Sequence, residues 1–279
     1  MRETVVTMDD GEPIHVRLLG DTGPPLLLLH GWTASHLEWS PFLRPLAQRC
    51  RVACWDARGH GGHGLRSGNA PTAARMARDL DAVIDALGLA GACCVGHSMG
   101  ALTLWQYLRD FGSAKIGRLC FVDQSPKLVT DAGWPFGIYG DFDGARSEAF
   151  IGELRAGFAE AVLRLTAYGL NAEARAGYLA DSPGWQRARG ALAALEAGPL
   201  IACWQSLVAA DYRDVVPAID RPCLLVYGER SNFYPPGTGA WLAQHIPGAR
   251  LSIYPGANHS PHLCDRPRFM EELAGFAAP

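Results

Sequence analysis

The sequence predicts an α/β fold with a mostly parallel, eight-stranded sheet flanked by helices and a helical cap inserted after the sixth strand. Short apolar runs alternate with segments of helical spacing, which is typical of a doubly wound sheet. These runs are apolar throughout, as strands buried on both faces of a parallel sheet require. One long stretch without a strand signal interrupts the alternation, and this stretch predicts the cap.

Eight short segments are predicted as strands. The first two, 4–8 and 14–19, flank Asp9-Asp10-Gly11, a turn signal that favours a hairpin. The other six are predicted at 25–30, 51–56, 92–96, 118–123, 223–228 and 250–254. Helical spacing follows several of them, at 72–88, 99–111, 237–246 and 267–277.

The interruption covers residues 126–206, where helix-forming Ala, Leu, Glu and Arg are interspersed with aromatic residues. We expect it to form the cap of a core made of residues 1–125 and 207–279, over the carboxyl ends of the strands, where open α/β sheets bind ligands. Four aromatic residues are candidates for the substrate pocket: Trp134, Phe136, Tyr139 and Trp204. Alternatively, such rings pack the cap's own core.

Composition and charge argue against several function classes. The chain has 279 residues and a formal net charge of −3, so charge gives no reason to expect nucleic acid or a membrane as partner. Most of the eight cysteines lie in predicted strands and none has metal-ligand spacing, so we expect reduced thiols and neither metal nor cofactor. The N-terminal segment is not that of a signal peptide, and no apolar run approaches the ~20 residues of a membrane span. Cytoplasmic location is expected, and oligomeric state is not predicted.

The segment Gly96-His97-Ser98-Met99-Gly100 carries the strongest functional signal. It follows an apolar run and precedes a good helical sequence. A strand that enters a helix through G-x-S-x-G forms a nucleophile elbow, a strained turn that exposes the serine hydroxyl. The helix N-terminus then points at developing negative charge. Ser98 is therefore the candidate nucleophile.

Four motifs together resemble the α/β-hydrolase superfamily, in its capped esterase, lipase and lactonase-like branch. They are Leu-His-Gly-Trp at 29–32, Trp-Asp-Ala-Arg-Gly-His-Gly at 55–61, the elbow, and Pro-Gly-Ala-Asn-His-Ser-Pro-His at 255–262. The resemblance covers nearly the whole chain outside the cap. It implies that His259 is the general base, with His262 as the rival candidate. It also implies structural roles for Asp56, His60 and His63.

The resemblance further implies an oxyanion hole made of two backbone N–H groups. The candidates are the amide of Trp32, in the loop after the third strand, and that of Met99, directly after the nucleophile. His30 precedes this loop and is expected to brace it by hydrogen bonds rather than to act as a base.

In the family, a carboxylate orients the base and completes a catalytic triad with the serine and the histidine. The position of this acid in the present sequence departs from the family pattern. Family members usually carry Asp in a Gly-x-x-Asp pattern after the strand predicted at 223–228, but this sequence has Gly228-Glu229-Arg230-Ser231. Asp123 ends the preceding strand, and some haloalkane dehalogenases and lactone hydrolases of the superfamily take their acid from there. We predict Asp123 as the acid, with a carboxylate oxygen within about 3.2 Å of His259 Nδ1. Glu229, or no acid at all, is the alternative.

The activity that the resemblance implies is acyl transfer to water through an acyl-enzyme on Ser98. We expect the substrate to be a carboxylic ester or lactone of an apolar small molecule, since the cap is aromatic and no polyanion-binding cluster suggests a coenzyme A thioester. Carbon–carbon bond hydrolysis and cofactor-free perhydrolysis are alternatives on the same fold. A non-catalytic binding protein is the alternative of a different class, although a binder need not keep nucleophile, base and oxyanion loop together.

Overall fold

Eight strands form one sheet in the computed structural model, which describes residues 1–278. The order across the sheet is β1-β2-β4-β3-β5-β6-β7-β8, with β2 antiparallel to β1 and β4 and all other pairs parallel. The strands are β1 (Arg2–Thr7), β2 (Pro13–Leu19), β3 (Pro25–Leu29), β4 (Arg51–Asp56), β5 (Ala92–His97), β6 (Ile116–Val122), β7 (Cys223–Gly228) and β8 (Arg250–Tyr254). The predicted fold class and the predicted strands are confirmed.

Helices cover both faces of the sheet, and the central strands are apolar because neither of their faces meets water. On one face lie α2 (Ala73–Ala86) and α3 (Met99–Phe111), and on the other α1 (Ser40–Leu46) and α11 (Arg266–Ala277). Two further helices of the core are α9 (Gly237–His245) and α10 (Pro261–Cys264).

Helix α1 was not expected from the sequence. It contains Pro41 and Pro45, and proline normally indicates a break in a helix. Pro41 lies in the first turn, where no backbone N–H is needed, and the apolar side chains of Phe42 and Leu46 are buried in the core. Tertiary packing therefore stabilises a segment whose local signal is poor.

Between β6 and β7 the chain forms the predicted insertion of helices. They are α4 (Gly144–Ala156), α5 (Phe158–Ala167), α6 (Ala172–Leu179), α7 (Pro183–Ala193) and α8 (Ala197–Ala209). Helix α8 extends three residues beyond the predicted end of the cap at residue 206. The division into a core and a cap remains a prediction, and we use the word cap for residues 126–206.

Within residues 1–278, no single helix has the length and apolar character to cross a membrane. Helices α7 and α8 meet those two criteria only as a pair, bent by 101°.

Candidate active site

Ser98 lies at the tip of a tight turn between β5 and α3. Its backbone φ is +50°, a conformation that an L-residue adopts only under strain. The two flanking glycines have no room for a side chain. A Cβ at Gly96 would lie 2.5 Å from Ala101 N, and one at Gly100 would lie 2.4 Å from Leu29 O. The sequence G-x-S-x-G is therefore required here by close approach of the backbone.

Strain recurs at the ends of three strands that are adjacent in the sheet. After β3, β5 and β6, the residues Thr33, Ser98 and Asp123 have φ values of +64°, +50° and +42°. Each of these strands runs in the same direction, so the three strained residues lie along one edge of the sheet. Backbone strain of this kind clusters at active sites, and this edge holds the predicted nucleophile, acid and oxyanion loop.

Asp123 is fully buried and lies beside His259. Its Oδ1 atom is 3.3 Å from His259 Nδ1, just beyond the predicted 3.2 Å and at the long end of hydrogen-bond distances. The same carboxylate accepts hydrogen bonds from Gly228 N at 3.0 Å and from Ser231 Oγ at 2.9 Å. Ser231, which occupies the slot where the family pattern has aspartate, therefore donates to the carboxylate that is predicted as the acid.

Glu229, the alternative acid, is exposed and its carboxylate is engaged elsewhere. It accepts a hydrogen bond from Gly256 N at 2.8 Å. The carboxylate of Glu229 thus stabilises the loop after β8, which carries His259, but it does not bind the imidazole.

The imidazole of His259 lies between the sheet edge and the cavity. Its side chain is 14% exposed, and the ring of Phe233 meets it edge-on with centroids 4.5 Å apart. Burial lowers the pKa of His259, against the opposing effect of Asp123, so the ring is a neutral proton acceptor at neutral pH. With Nδ1 turned toward Asp123, Nε2 is the nitrogen left to act as base.

Two backbone amides are free to form the oxyanion hole. Within residues 1–278, neither Trp32 N nor Met99 N is engaged in a hydrogen bond. The loop that carries Trp32 is braced by His30, whose Nδ1 lies 2.7 Å from Gly31 O and whose Nε2 accepts from Ala57 N at 3.1 Å. Both nitrogens of His30 are thus occupied, and the ring is fully buried, as expected of a structural histidine.

Ser98, His259 and Trp32 line one cavity of about 900 Å³. The cap closes it with apolar side chains from α5 and α8, among them Val162, Leu165 and Trp204. No lysine or arginine lies among the described residues that line it.

Only one of the four predicted pocket aromatics lines this cavity. Trp204 does so, with its ring 4.6 Å from that of Trp32. The structure places Trp134, Phe136 and Tyr139 outside the lining. Trp134 packs edge-on against Phe136 and its indole donates to Lys127 O at 2.9 Å, while the hydroxyl of Tyr139 donates to Leu165 O. These rings pack the junction of cap and core, through Trp241 and Phe233, rather than only the interior of the cap as the alternative expectation had it.

A cluster of ionisable groups that sequence analysis did not identify lies behind His259. It consists of Glu38, His97 and His262, and we call it the inner cluster. His262, the rival base, is fully buried with Nε2 3.0 Å from Glu38 Oε1, so it is bonded away from the cavity. The three residues come from distant parts of the chain, and no spacing in the sequence connects them.

The loop after β4 plays no direct part in the cavity, in line with the structural role expected of it. Asp56 accepts hydrogen bonds from His36 N and Nδ1 at 2.7 and 3.0 Å, and His63 lies 3.4 Å from the same carboxylate. His60 is buried, with Nδ1 3.0 Å from Arg58 O.

Comparison with known proteins agrees with this geometry. The family described as "alpha/beta hydrolase fold" matches residues 24–265. A pimeloyl-[acyl-carrier protein] methyl ester esterase of Chromobacterium violaceum is 30% identical over 272 residues, which cover 94% of this chain and 96% of that protein. A non-heme haloperoxidase of Rhodococcus erythropolis is 28% identical, over 91% of this chain and 92% of that protein. The structure of an esterase from Exiguobacterium antarcticum superimposes with a TM-score of 0.83 at 22% identity, over 99% of both chains.

Proposed function

Since this chain belongs to the α/β-hydrolase fold family, we propose that it is a serine hydrolase that cleaves a carboxylic ester or lactone of an apolar small molecule. The observation that carries the proposal is that Asp123, after β6, contacts His259, and that His259 lines one cavity together with Ser98, which follows the adjacent strand β5. A nucleophile, a base and an orienting carboxylate are the three groups that acyl transfer through a covalent intermediate needs.

In the proposed mechanism, His259 Nε2 takes the proton of Ser98 Oγ as the hydroxyl attacks the substrate carbonyl. The oxyanion that forms accepts hydrogen bonds from the amides of Trp32 and Met99, which have no other acceptor within residues 1–278. The imidazolium returns the proton to the leaving alcohol, and water then cleaves the acyl-enzyme with His259 as base again. Asp123 holds the tautomer with a proton on Nδ1 and stabilises the imidazolium.

The charge and lining of the cavity favour an apolar, uncharged substrate. The described lining includes Glu38 and Glu173 but no basic side chain to hold a carboxylate or phosphate. The cap carries seven Lys or Arg residues against nine Asp or Glu residues, a net charge of −2, which gives no overall attraction for an acidic carrier. This charge does not favour the substrate on a carrier protein that the name of the Chromobacterium relative gives for that protein.

Perhydrolysis is the second candidate, because the Rhodococcus relative is a haloperoxidase. It would use the same acyl-enzyme, with hydrogen peroxide in place of water as the attacking molecule. Carbon–carbon bond hydrolysis uses the same elbow, and a non-catalytic binding role is the alternative of a different class.

A fluorophosphonate probe tests the proposal. We expect rapid labelling of the wild-type protein at Ser98, and none in Ser98→Ala. A panel of p-nitrophenyl esters of increasing acyl length, with several lactones, then gives the substrate class, and the same panel with hydrogen peroxide measures perhydrolysis. Failure to label Ser98, together with tight binding of an unreacted ligand, would favour the binding protein.

We also infer a cytoplasmic location, with an apolar small-molecule ester or lactone as substrate and neither nucleic acid nor membrane as a partner. All eight cysteines are free, and seven of them are buried. A chain that keeps so many thiols unpaired suits a reducing compartment.

A further inference from the structure

The inner cluster is a buried group of one carboxylate and two imidazoles. Glu38 Oε1 lies 2.6 Å from His97 Nδ1 and 3.0 Å from His262 Nε2. The side chains of Glu38, His97 and His262 are 7%, 8% and 0% exposed. The second oxygen of Glu38 accepts a hydrogen bond from Gly31 N at 2.9 Å. Charged groups removed from water in this way must be balanced within the cluster.

One hydrogen bond and one close ion-pair contact assign the protons of His97. The Nε2 atom of His97 lies 2.9 Å from the carbonyl oxygen of His259, which can only accept, so Nε2 carries a proton. The Nδ1 atom lies 2.6 Å from Glu38 Oε1 in an ion-pair contact that is not aligned as a hydrogen bond, and an unprotonated nitrogen would be repelled by a carboxylate oxygen at that distance, so Nδ1 carries a proton as well. Both nitrogens are protonated, and His97 is therefore an imidazolium ion paired with Glu38.

The electrostatic environment agrees with this assignment. Burial opposes the charge on His97, but the carboxylate of Glu38 outweighs it and raises the pKa of His97. Burial also opposes the charge on Glu38, yet the positive charge of His97 holds the pKa of that carboxyl well below its usual range. Burial lowers the pKa of His262 to about 4, so this ring is neutral and donates to Glu38 through Nε2.

We propose that the Glu38–His97 ion pair positions the oxyanion loop and that the charge on His97 adds to burial in keeping His259 in its neutral, proton-accepting form. This inference rests on the proposed function, because it concerns the base and the oxyanion hole of that reaction. Glu38 and His97 are positioning residues, since they act through Gly31 and His259 rather than on the substrate.

The ion pair contacts the backbone of the oxyanion loop at Gly31. Glu38 holds the amide of Gly31, the residue directly before Trp32. The loop packs so closely on the imidazolium that a Cβ at Gly31 would lie 3.1 Å from His97 Nδ1 and 3.5 Å from Ser98 Cβ. Loss of the ion pair would therefore loosen the backbone that presents the Trp32 amide.

The ion pair also acts on the base. The rings of His97 and His259 have centroids 4.8 Å apart, and the hydrogen bond from His97 Nε2 fixes the backbone of His259. The ionisable groups facing these two rings are Asp123, Glu38 and His262, of which the last is neutral. A positive charge at His97 disfavours a second one at His259 and opposes part of the effect by which Asp123 and Glu38 favour protonation of that ring.

The spacing of the inner cluster fits shared protons rather than a metal ion. Donor atoms that bind zinc tetrahedrally at about 2.0–2.1 Å lie about 3.3 Å apart. The two contacts of Glu38 Oε1 are shorter, at 2.6 and 3.0 Å.

The test compares the pH dependence of kcat/KM in wild type, His97→Gln, Glu38→Gln and the double variant. Glutamine at 97 can still donate to the carbonyl of His259, and glutamine at 38 can still accept from Gly31, so each change mainly removes charge. His97→Gln removes the positive charge beside His259, whose pKa rises, so we expect the acid limb of the pH profile to move up by about one pH unit. Glu38→Gln removes the carboxylate that keeps His97 charged, so both charges of the pair are lost and the limb should move less. The double variant should match Glu38→Gln, because neither variant carries either charge. His60→Gln, which removes a buried neutral histidine outside the cavity, should leave the limb in place.

If the acid limb of the pH profile stays in place and kcat is lowered equally at every pH, the proposal is overturned, and Glu38 and His97 have only a packing role. Should the variants fail to fold, ¹⁵N NMR of histidine-labelled wild-type protein decides directly. Two protonated nitrogens on His97 at pH 7 are expected, and a neutral ring would contradict the ion pair. Fluorophosphonate labelling of wild-type Ser98 separates the outcomes: if labelling succeeds while the limb does not move, this inference alone has failed.

Discussion

The strand ends and the cap contribute to the same cavity, but they hold their side chains by different means. Asp123 is fixed by hydrogen bonds from Gly228 N and Ser231 Oγ and by the strained end of β6. Trp204 is held by ring contacts with Trp32 and Phe150, with centroids 4.6 and 5.2 Å apart. Directional bonds on a rigid sheet suit groups that must react, whereas apolar packing suits a surface that only selects by shape. We therefore expect changes at the strand ends to alter rate and changes in the cap to alter selectivity.

The largest effect is expected at Ser98. We predict that Ser98→Ala lowers kcat by a factor of about 10⁴ to 10⁶, since removal of a triad nucleophile has that cost. The melting temperature should stay the same, because the side chain faces the cavity and its loss leaves no hole in the core. Esterase assays with the best substrate and thermal denaturation measure the two quantities. A variant that kept a tenth of wild-type turnover would exclude the serine mechanism.

Asp123 and Glu229 offer the next comparison, between a buried and an exposed carboxylate at neighbouring strand ends. Asp123→Asn should lower kcat by about 10⁴, as loss of the correct imidazole tautomer does in a serine protease. Glu229→Gln is the matched control and should keep most of the activity, since an amide oxygen can still accept from Gly256 N. The opposite ranking in steady-state assays would make Glu229 the acid.

The strand-end half of the site could be predicted from the sequence because its geometry follows from strand order. Residues that end adjacent parallel strands must lie together, so Ser98 at the end of β5 and Asp123 at the end of β6 are neighbours once the strands are assigned. The elbow is likewise dictated by Gly96 and Gly100, where the backbone leaves no space for Cβ. Ser231 in place of the family aspartate was the local signal that pointed to Asp123.

The cap and the inner cluster could not be predicted in the same way. A ring in a helical segment gives no sign of which neighbour it faces, and Trp134 and Tyr139 face the core junction whereas Trp204 faces the cavity. Glu38 and His97 meet only because the turn after β3 folds against the elbow, a contact between residues 59 positions apart. Propensity and periodicity describe local structure, whereas the direction of the cap rings and the contact between Glu38 and His97 depend on tertiary packing.

Trp204 lines the cavity and Trp134 does not, so we expect only Trp204 to affect substrate selectivity. Trp204→Leu should shift the preferred acyl length and change relative kcat/KM values by about 10- to 100-fold, since hydrophobic pocket contacts discriminate by that much. Trp134→Leu should leave the preference unchanged and lower the melting temperature, because Trp134 is 2% exposed and loses a buried indole. The ester panel and thermal denaturation separate the two effects. An equal change of selectivity in both variants would contradict the cavity lining.

Ser231 offers a smaller effect within the strand-end region. Ser231→Ala removes one of the hydrogen bonds to Asp123, and we expect kcat to fall about 10-fold, the value of a hydrogen bond to a charged group. Ser252→Ala is the matched control, since Ser252 Oγ donates to Glu272 at 2.8 Å on β8, away from the cavity lining. Kinetics that do not distinguish the two variants would mean that Ser231 does not support the acid.

The smallest effect is expected from chelators. Glu38, His97 and His262 are the one group of described residues with metal-ligating atoms close together, all within 4.8 Å. Their contacts of 2.6 and 3.0 Å fit shared protons, and the oxyanion amides supply the electrostatic stabilisation that a Lewis acid would otherwise give. Prolonged dialysis against EDTA should therefore leave kcat and KM unchanged, with a matched dialysis without EDTA as control. Loss of activity that a divalent ion restores would show that the inner cluster holds a metal, and the ion pair proposed there would then be wrong.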